Sequence, residues 1–187
     1  RRGKLNMGAR GPGASRQRKA AALVEINAAH PWEAEGLSRA ERVIAFIESL
    51  PITKGFGAGE NVKLLPFQRE WIEAVYATDV EGKRRVRTGL LSVARGQGKT
   101  VLAAMLCLCH LCGPEAEQRG ECYSAAATKE QAGLIFAEME AVILAVPWMA
   151  SRLNVQRFYK TIEDDETGSR YRALASDGAA VHGTASS

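Results

Sequence analysis

Residues 90–100 read Leu-Leu-Ser-Val-Ala-Arg-Gly-Gln-Gly-Lys-Thr, an apolar run that breaks into a glycine-flanked Lys-Thr. The apolar run has the length of a buried parallel strand, and the glycines allow a tight turn that points backbone N–H groups at phosphate oxygens. Lys99 can then reach the β- and γ-phosphates of a nucleoside triphosphate, and Thr100 can offer its hydroxyl to Mg²⁺ where the next helix begins. The stretch therefore predicts a strand, a phosphate-binding loop and a helix. The predicted nucleotide-binding residues of the loop are Gly96, Gln97, Gly98, Lys99 and Thr100.

One position departs from the complete phosphate-loop pattern, which has a glycine five residues before Gly98, where this chain has Val93. The alternative interpretation is a strand-turn-helix junction that only happens to end in Gly-Lys-Thr. A second motif favours the nucleotide site: Pro66 suits the first turn of a helix, and Gln68 follows it in an amphipathic run. A glutamine amide offers a donor and an acceptor together, which suits the N6/N7 edge of adenine, whereas a glutamine on an exposed helix face is usually only solvated. We predict that Gln68 reads adenine.

These two motifs carry a resemblance to a known family. Leu-Pro-Phe-Gln at 65–68, followed by Val-Ala-Arg-Gly-Gln-Gly-Lys-Thr at 93–100, resembles the ATPase domain of terminase large subunits of tailed phages, the motors that pump DNA into preformed capsids. That family often lacks the first glycine of the loop and often has an arginine inside it, as Arg95 is here. The Met-Gly-Ala-Arg-Gly-Pro-Gly-Ala run at 7–14 is also similar to the start of many such proteins.

The resemblance implies an α/β fold: a P-loop NTPase core of the RecA-like ASCE class with N-terminal helices and, in this chain, an incomplete sheet. It implies ATP and Mg²⁺ as cofactors, with Thr100 as the metal ligand. It also implies that Lys99 and Arg95 act catalytically, because a guanidinium beside the γ-phosphate can stabilise the charge that develops during transfer or trigger a neighbouring subunit. The alternative is that Arg95 lies in solvent or pairs with an acidic neighbour.

The implied function is the coupling of ATP hydrolysis to the translocation of double-stranded DNA into capsids, in the cytoplasm of the bacterial host. Implied partners are double-stranded DNA, the terminase small subunit and the portal, on which the protein would form a homo-oligomer; the parent protein would also be an endonuclease. Two alternatives stay open: a helicase-like nucleic-acid ATPase, and a non-catalytic prophage remnant that folds without turning nucleotide over.

The composition of the chain indicates neither a secretory signal nor a membrane-spanning segment. The 187 residues carry a net charge of +4, and residues 1–20 hold seven basic residues and no acidic one. This tail lacks the apolar segment of a secretory signal, and no apolar run in the chain reaches the length of a membrane span. The tail is either a solvated, disordered arm or a segment that contacts DNA phosphates, and the two roles are compatible.

The four cysteines do not predict a metal or disulfide framework. Cys107 and Cys109 stand two apart on a predicted helix, so they point about 200° from each other and cannot share a tetrahedral ion. Cys107 with either His110 or Cys112 is a weaker geometric alternative. We predict buried thiols that pack the helix against a sheet, as expected of a protein in a reducing cytoplasm.

The order of elements divides the chain into a basic tail at 1–20, a helical region at 21–60 and an ATPase core at 61–187. The order strand, helix, strand, helix around a phosphate loop is the start of an α/β nucleotide-binding sheet. Predicted helices are 20–29, 38–50, 66–77, 99–112 and 128–146; predicted strands are 88–94, 122–127, 153–161 and 171–174, the last two flanking a turn at 164–169.

ATP hydrolysis in this class needs a second acidic element that supports Mg²⁺ and positions the attacking water. The acidic cluster at 163–166 follows no unbroken apolar strand, so we predict a solvated turn there instead of a metal site. By the resemblance, the segment at 175–183 lies just before the strand that carries the acidic pair. We therefore expect a truncated ATPase domain, lacking that strand and the nuclease, which binds ATP but barely hydrolyses it.

Overall fold

Local capping chemistry sets where the helices begin in the computed structural model, which describes residues 30–175. After a 3-10 turn at Pro31–Glu33, helix α1 spans Arg39–Glu48. Ser38 caps it reciprocally: its Oγ accepts from the Glu41 N–H at 3.2 Å, and the Glu41 carboxylate accepts from the Ser38 N–H at 2.7 Å. This is the capping box that a serine followed three residues later by a glutamate predicts.

The remaining helices also begin at residues that suit the start of a helix. Helix α2 spans Pro66–Val75 with its proline in the first turn, and α3 spans Lys99–Cys112 directly after the phosphate loop. Helix α4 spans Lys129–Ala145 behind the Thr128 cap. A short further helix, α5 at Pro147–Arg152, was not predicted; a proline cannot continue α4, but it can occupy the first position of a new helix.

Four strands form one mixed sheet: β1 at Glu121–Ala126, β2 at Leu153–Gln156, β3 at Thr161–Asp164 and β4 at Arg170–Ala175. The strand order is β1-β4-β3-β2. β1 runs parallel to β4, whereas β4, β3 and β2 form an antiparallel meander. The strand predicted at 153–161 is therefore wrong in extent, because the chain turns between Gln156 and Thr161 and pairs with itself.

The predicted strand at 88–94 is also wrong. These residues do not form a strand, and Leu90 is 88% exposed instead of buried. A β-strand exists through its ladder of hydrogen bonds to a neighbour, and no strand among residues 30–175 lies beside this segment. Its nearest support is α2, since the Trp71 indole N–H donates to the Leu90 carbonyl at 3.2 Å.

Helix α3 lies at the centre of the hydrophobic core. It packs against α1, α4 and the inner face of the sheet, and it buries Leu102, Met105, Leu108 and Leu111. Full burial of such a side chain stabilises the fold by about 1.5–3 kcal/mol relative to exposure. Contacts on several sides fix the position of α3, and so they also fix the loop that precedes it.

The cysteines of α3 lie on different sides of the helix: Cys107 and Cys112 lie near the sheet, whereas Cys109 lies near Arg39 and Tyr76. Cys109 and Cys112 are buried, and the half-buried thiol of Cys107 lies next to that of Cys122 of β1. Burial raises the pKa of the Cys109 thiol above its ordinary value, so the group stays neutral. These positions agree with the predicted packing of the helix against the sheet for Cys107 and Cys112, whereas Cys109 packs toward the other helices.

In the described part of the chain, no helix is long and apolar enough to cross a membrane. Across the same residues, no group of three or more His, Cys, Asp and Glu side chains is arranged to hold a metal ion. The predicted tail at 1–20, the predicted helix at 20–29 and the segment at 176–183 lie outside the described residues.

Candidate nucleotide-binding site

The loop between the extended segment at 88–94 and α3 turns on two glycines. Gly96 has a φ of +85° and Gly98 a φ of +74°, both in the left-handed region that residues with a Cβ rarely adopt. A Cβ at Gly96 would meet nothing within 4 Å, whereas one at Gly98 would lie 3.4 Å from the Gln68 side-chain nitrogen. Backbone conformation therefore favours glycine at both positions, and a close neighbour adds to that preference at Gly98.

The start of α3 presents free backbone donors to solvent. The first bond of the helix runs from the Leu102 N–H to the Gly98 carbonyl at 2.9 Å, so the N–H groups of residues 99–101 have no acceptor within the helix. Gly98 has no side chain with which to cap them, and residues 95–100 are all exposed. With the positive end of the helix dipole added, this turn favours an anionic ligand.

Lys99 lies over the loop. Its ammonium donates to the carbonyl oxygens of Val93 at 2.7 Å and Ala94 at 2.8 Å. Val93 is the residue that replaces the first glycine of the complete motif, and its contribution is made by the backbone. The valine side chain is therefore compatible with a lysine held in this place.

Gln68 comes from α2 to the same loop. Its side chain is 8% exposed, its Oε1 accepts from the Leu65 N–H at 3.0 Å, and its Nε2 donates to the Gln97 carbonyl at 3.4 Å. The solvated-face alternative is wrong, since the residue is buried against the loop. Gln68 thus lies beside the loop, and both polar atoms of its amide have backbone partners.

Sequence reasoning missed two residues beside the site, Trp71 and Gly89. A Cβ added at Gly89 would lie 2.8 Å from the Val75 side chain and 3.0 Å from the Trp71 ring, so α2 packs directly on the backbone there. The available signal was the spacing of Gln68 and Trp71, which stand three apart and share one face of α2.

Arg95 and Thr100 are exposed at the two ends of the loop. Among residues 30–175, Arg95 makes no ion pair or hydrogen bond, so the alternative of an acidic neighbour is not observed and its guanidinium lies in solvent. Both side chains are free to contact a ligand held by the start of α3.

The acidic cluster at 163–166 is a solvated turn only at Asp165 and Glu166, which are exposed, and that prediction was wrong for Asp164. Its carboxylate is fully buried and accepts from Arg152 Nε at 2.7 Å, Arg152 Nη2 at 2.6 Å and the Thr167 hydroxyl at 2.6 Å. Burial opposes ionisation, but the bonds from Arg152 and Thr167 outweigh it and hold the pKa of Asp164 below its ordinary value. Glu163 is bound separately by Arg170 at 2.7 Å. The cluster is a structural joint.

The same cluster lies far from the phosphate loop. Burial raises the pKa of the Cys112 thiol, and the charges of Arg152 and Asp164 act on the same pKa in opposite directions. Both charges therefore lie near Cys112, which is the last residue of α3. Lys99 begins that helix, which has 14 residues and so is roughly 20 Å long at about 1.5 Å per residue. The carboxylates of the joint therefore cannot contact phosphates bound at the loop.

Residues 66–187 match the family described as the terminase large subunit, ATPase domain. Over 148 residues the chain is 34% identical to the terminase large subunit of Enterobacteria phage HK97, a match that covers 79% of this chain and 29% of that protein. The crystal structure of the HK97 bacteriophage large terminase matches with a TM-score of 0.67 and 33% identity, again over 79% of this chain and 29% of that one. This chain thus spans less than a third of its HK97 relative. The loop, the order of elements and these matches together show that the chain belongs to the terminase large subunit ATPase domain family, with its P-loop NTPase-like α/β fold.

Proposed function

We propose that this chain is the ATP-binding part of a viral DNA-packaging motor, in which ATP hydrolysis drives double-stranded DNA into a capsid. The observation that carries the proposal is the phosphate loop itself: free N–H groups at the start of α3, two left-handed glycines and the Lys99 ammonium converge on one exposed turn. Few ligands other than a polyphosphate combine enough negative charge with so many acceptor oxygens.

Each residue of the loop has a separate part in this proposal. Backbone N–H groups of Gly96, Gln97 and Gly98 would surround the phosphates, and Lys99 would contribute a charge-assisted bond to their oxygens. Thr100 stands one position further into α3, where its hydroxyl would bind Mg²⁺. Arg95, exposed and without a partner in the described residues, would stabilise charge on the γ-phosphate.

We further propose that residues 1–187 bind ATP but hydrolyse it slowly. Turnover requires carboxylates near the metal and the attacking water, and these carboxylates usually raise the rate of hydrolysis by several orders of magnitude. The acidic joint at Asp164 lies at the opposite end of α3 from Lys99, and its carboxylate is already held by Arg152. This placement supports binding without efficient hydrolysis.

Membership of the family supports the wider assembly as a proposal. Double-stranded DNA would be the substrate of translocation, the terminase small subunit and the portal would be the partners, and the host cytoplasm would be the compartment. Several copies would assemble on the portal, so that Arg95 of one copy could also act on the nucleotide of another.

The test is a titration of Mg-ATP into the wild-type chain and into Lys99→Ala. Lys63→Ala is the matched control, because Lys63 is equally cationic, exposed and makes no hydrogen bond or ion pair among residues 30–175. Loss of a charge-assisted bond should weaken binding by about 1.5–3 kcal/mol in Lys99→Ala and leave Lys63→Ala unchanged. Mg-ATP should also raise the melting temperature of the wild type, while phosphate release stays near background.

Two results would contradict the proposal. Equal ATP affinity in the wild type and Lys99→Ala would remove the phosphate-loop assignment. Steady turnover near one per second that is abolished by Lys99→Ala would overturn slow hydrolysis and require carboxylates from elsewhere, such as a second copy.

A further inference from the structure

We propose that the outer face of the sheet, together with the β2–β3 turn at 157–160, binds the phosphate backbone of duplex DNA. This inference rests on the proposed function, because it says where the DNA substrate of the motor contacts this chain. The outer face is the side turned away from α3. On β4, Tyr171 is fully buried on the inner side, whereas its neighbours Arg170 and Arg172 are exposed on the outer side.

The strand register places side chains of all four strands in one row across this face. Arg172 of β4 stands opposite Tyr123 of β1 on one side and opposite Thr161 of β3 on the other. Thr161 in turn pairs with Gln156 of β2, so the row contains no carboxylate. Arginine, tyrosine and glutamine are among the side chains that donate to DNA phosphates. The row therefore offers hydrogen-bond donors and positive charge to an anion.

A groove of about 500 Å³ opens on the same face. Its lining includes two arginines and one glutamate, and consists of Gln156, Tyr159, Thr161, Glu163, Arg170 and Arg172. The Glu163 carboxylate accepts from Arg170 at 2.7 Å and from the Gln156 amide at 3.1 Å, so its charge is compensated within the groove. The Arg172 side chain makes no hydrogen bond or ion pair within residues 30–175. This guanidinium is therefore available to a phosphate group, which it can bind through two parallel hydrogen bonds.

The β2–β3 turn forms one wall of the groove and presents two aromatic rings. Phe158 is 90% exposed and Tyr159 is 69% exposed, and their rings meet edge to face with centroids 5.1 Å apart. Backbone bonds hold the turn: the Ala173 N–H donates to the Lys160 carbonyl at 3.1 Å, and the Thr161 hydroxyl donates to the Tyr159 carbonyl at 3.3 Å. Exposed aromatic rings beside a cationic groove are typical of surfaces that contact nucleic acid, where the cations bind phosphates.

The turn lies at the same end of the domain as the phosphate loop. Cys112, the last residue of α3, lies near Asp164, at the end of β3 that is farther from the turn. Cys107, which is nearer the start of α3, lies next to Cys122, and Cys122 is level with Ile162, which is nearer the turn. Helix α3 therefore runs away from the end that carries the turn. DNA bound there would lie at the nucleotide end of the domain, as a motor that moves DNA by hydrolysis requires.

The experiment measures how tightly the full chain binds a labelled DNA duplex of random sequence, by fluorescence anisotropy between about 50 and about 200 mM salt. Arg172→Ala should weaken binding about tenfold, for one charge-assisted hydrogen bond, and reduce the slope of log K against log salt by about 1. Arg172→Lys keeps the charge, so it should keep the slope. Arg42→Ala is the matched control and should change neither quantity, since Arg42 is exposed on α1 and its side chain has no partner in the described part of the chain.

A second variant tests the aromatic wall of the groove. Tyr159→Ala should weaken duplex binding with little change in the salt slope, because the lost ring carries no charge. The basic tail is present in every variant, so the differences between variants report on the groove alone. Arg172 and Tyr159 are both exposed, and thermal melts of the variants check that the fold is retained.

Four results would overturn the inference. The wild type could fail to bind the duplex, or Arg172→Ala could keep the affinity and slope of the wild type. A single strand could bind more tightly than the duplex and lose its affinity in Tyr159→Ala, which would make the turn a base-stacking platform. Arg172→Ala could instead change the sedimentation of the chain and not its DNA binding, which would make this face an interface between copies. Failure of the proposed function is distinguishable, because the wild type would then not bind Mg-ATP through Lys99, whereas failure of this inference leaves that binding in place.

Discussion

Replacement of Asp164 by alanine should destabilise the fold and leave nucleotide binding untouched. The change removes the acceptor of two bonds from Arg152, one from the Thr167 hydroxyl and one from the Glu166 N–H at 3.2 Å. Removal of one partner of a buried pair costs 3–5 kcal/mol in general, because it leaves an uncompensated charge behind. Arg152 retains Glu166 at 2.8 Å and is 18% exposed, so the lower end, about 3 kcal/mol, is expected here.

The assay is urea denaturation followed by circular dichroism, with a thermal melt alongside it. A loss of about 3 kcal/mol corresponds to a fall in melting temperature of roughly 6–12 °C for a domain of this size. Asp165→Ala is the control, since this exposed neighbour carries the same charge and should change the unfolding free energy by less than about 0.5 kcal/mol. The affinity for Mg-ATP should be the same in both variants, because the joint lies at the far end of α3.

Two outcomes would refute this reasoning. A stability loss below about 1 kcal/mol in Asp164→Ala would show that the bonds from Arg152 contribute little net free energy. A variant with wild-type stability but weaker Mg-ATP binding would instead show that the carboxylate serves the nucleotide site, against the distance argument made from α3.

Two further predictions concern the pH dependence of stability and the phosphate loop. The folded-state pKa of Asp164 lies below its ordinary value of about 3.9, so its contribution to stability should be complete above that pH and be lost as the pH falls through and below it. Urea titrations at pH 7, 5 and 3 can measure this loss in the wild type against Asp164→Asn. An equal change of unfolding free energy with pH in the two proteins would contradict the prediction. Gly98→Ala should cost about 1–2 kcal/mol of stability because of its left-handed φ, and it should also weaken Mg-ATP binding. Gly82→Ala is the control: its φ is +78° and it lies in open space, so it should reduce stability alone in the same two assays. Unchanged Mg-ATP affinity in Gly98→Ala would contradict the prediction that the backbone of the phosphate loop determines nucleotide binding.

Sequence alone predicted the features that depend on neighbouring residues. The Ser38 cap depends on Glu41 three residues away, and the turn before Lys99 depends on the two glycines that flank Gln97. Such chemistry is complete within a few residues, so a single sequence contains it. The family and its α/β P-loop fold followed from the same short motifs.

The errors arose where the deciding partner lies elsewhere in the chain or in space. An apolar run at 88–94 reads as a buried strand, but its pairing depends on a neighbour that no local pattern specifies. Asp164 reads as part of a polar turn until Arg152, twelve positions earlier, is brought against it by the β2–β3 pairing.

In this structure the Lys99 ammonium has two acceptors of its own, so arrival of a nucleotide exchanges one set of partners for another. A charged phosphate oxygen accepts roughly twice as strongly as a neutral carbonyl, and the triphosphate would win that exchange. After loss of the γ-phosphate fewer charged oxygens face the lysine, and the carbonyls of Val93 and Ala94 compete for it on better terms. The two carbonyls would thereby compete with a bound diphosphate for Lys99, and the loop would hold a diphosphate less tightly than a triphosphate.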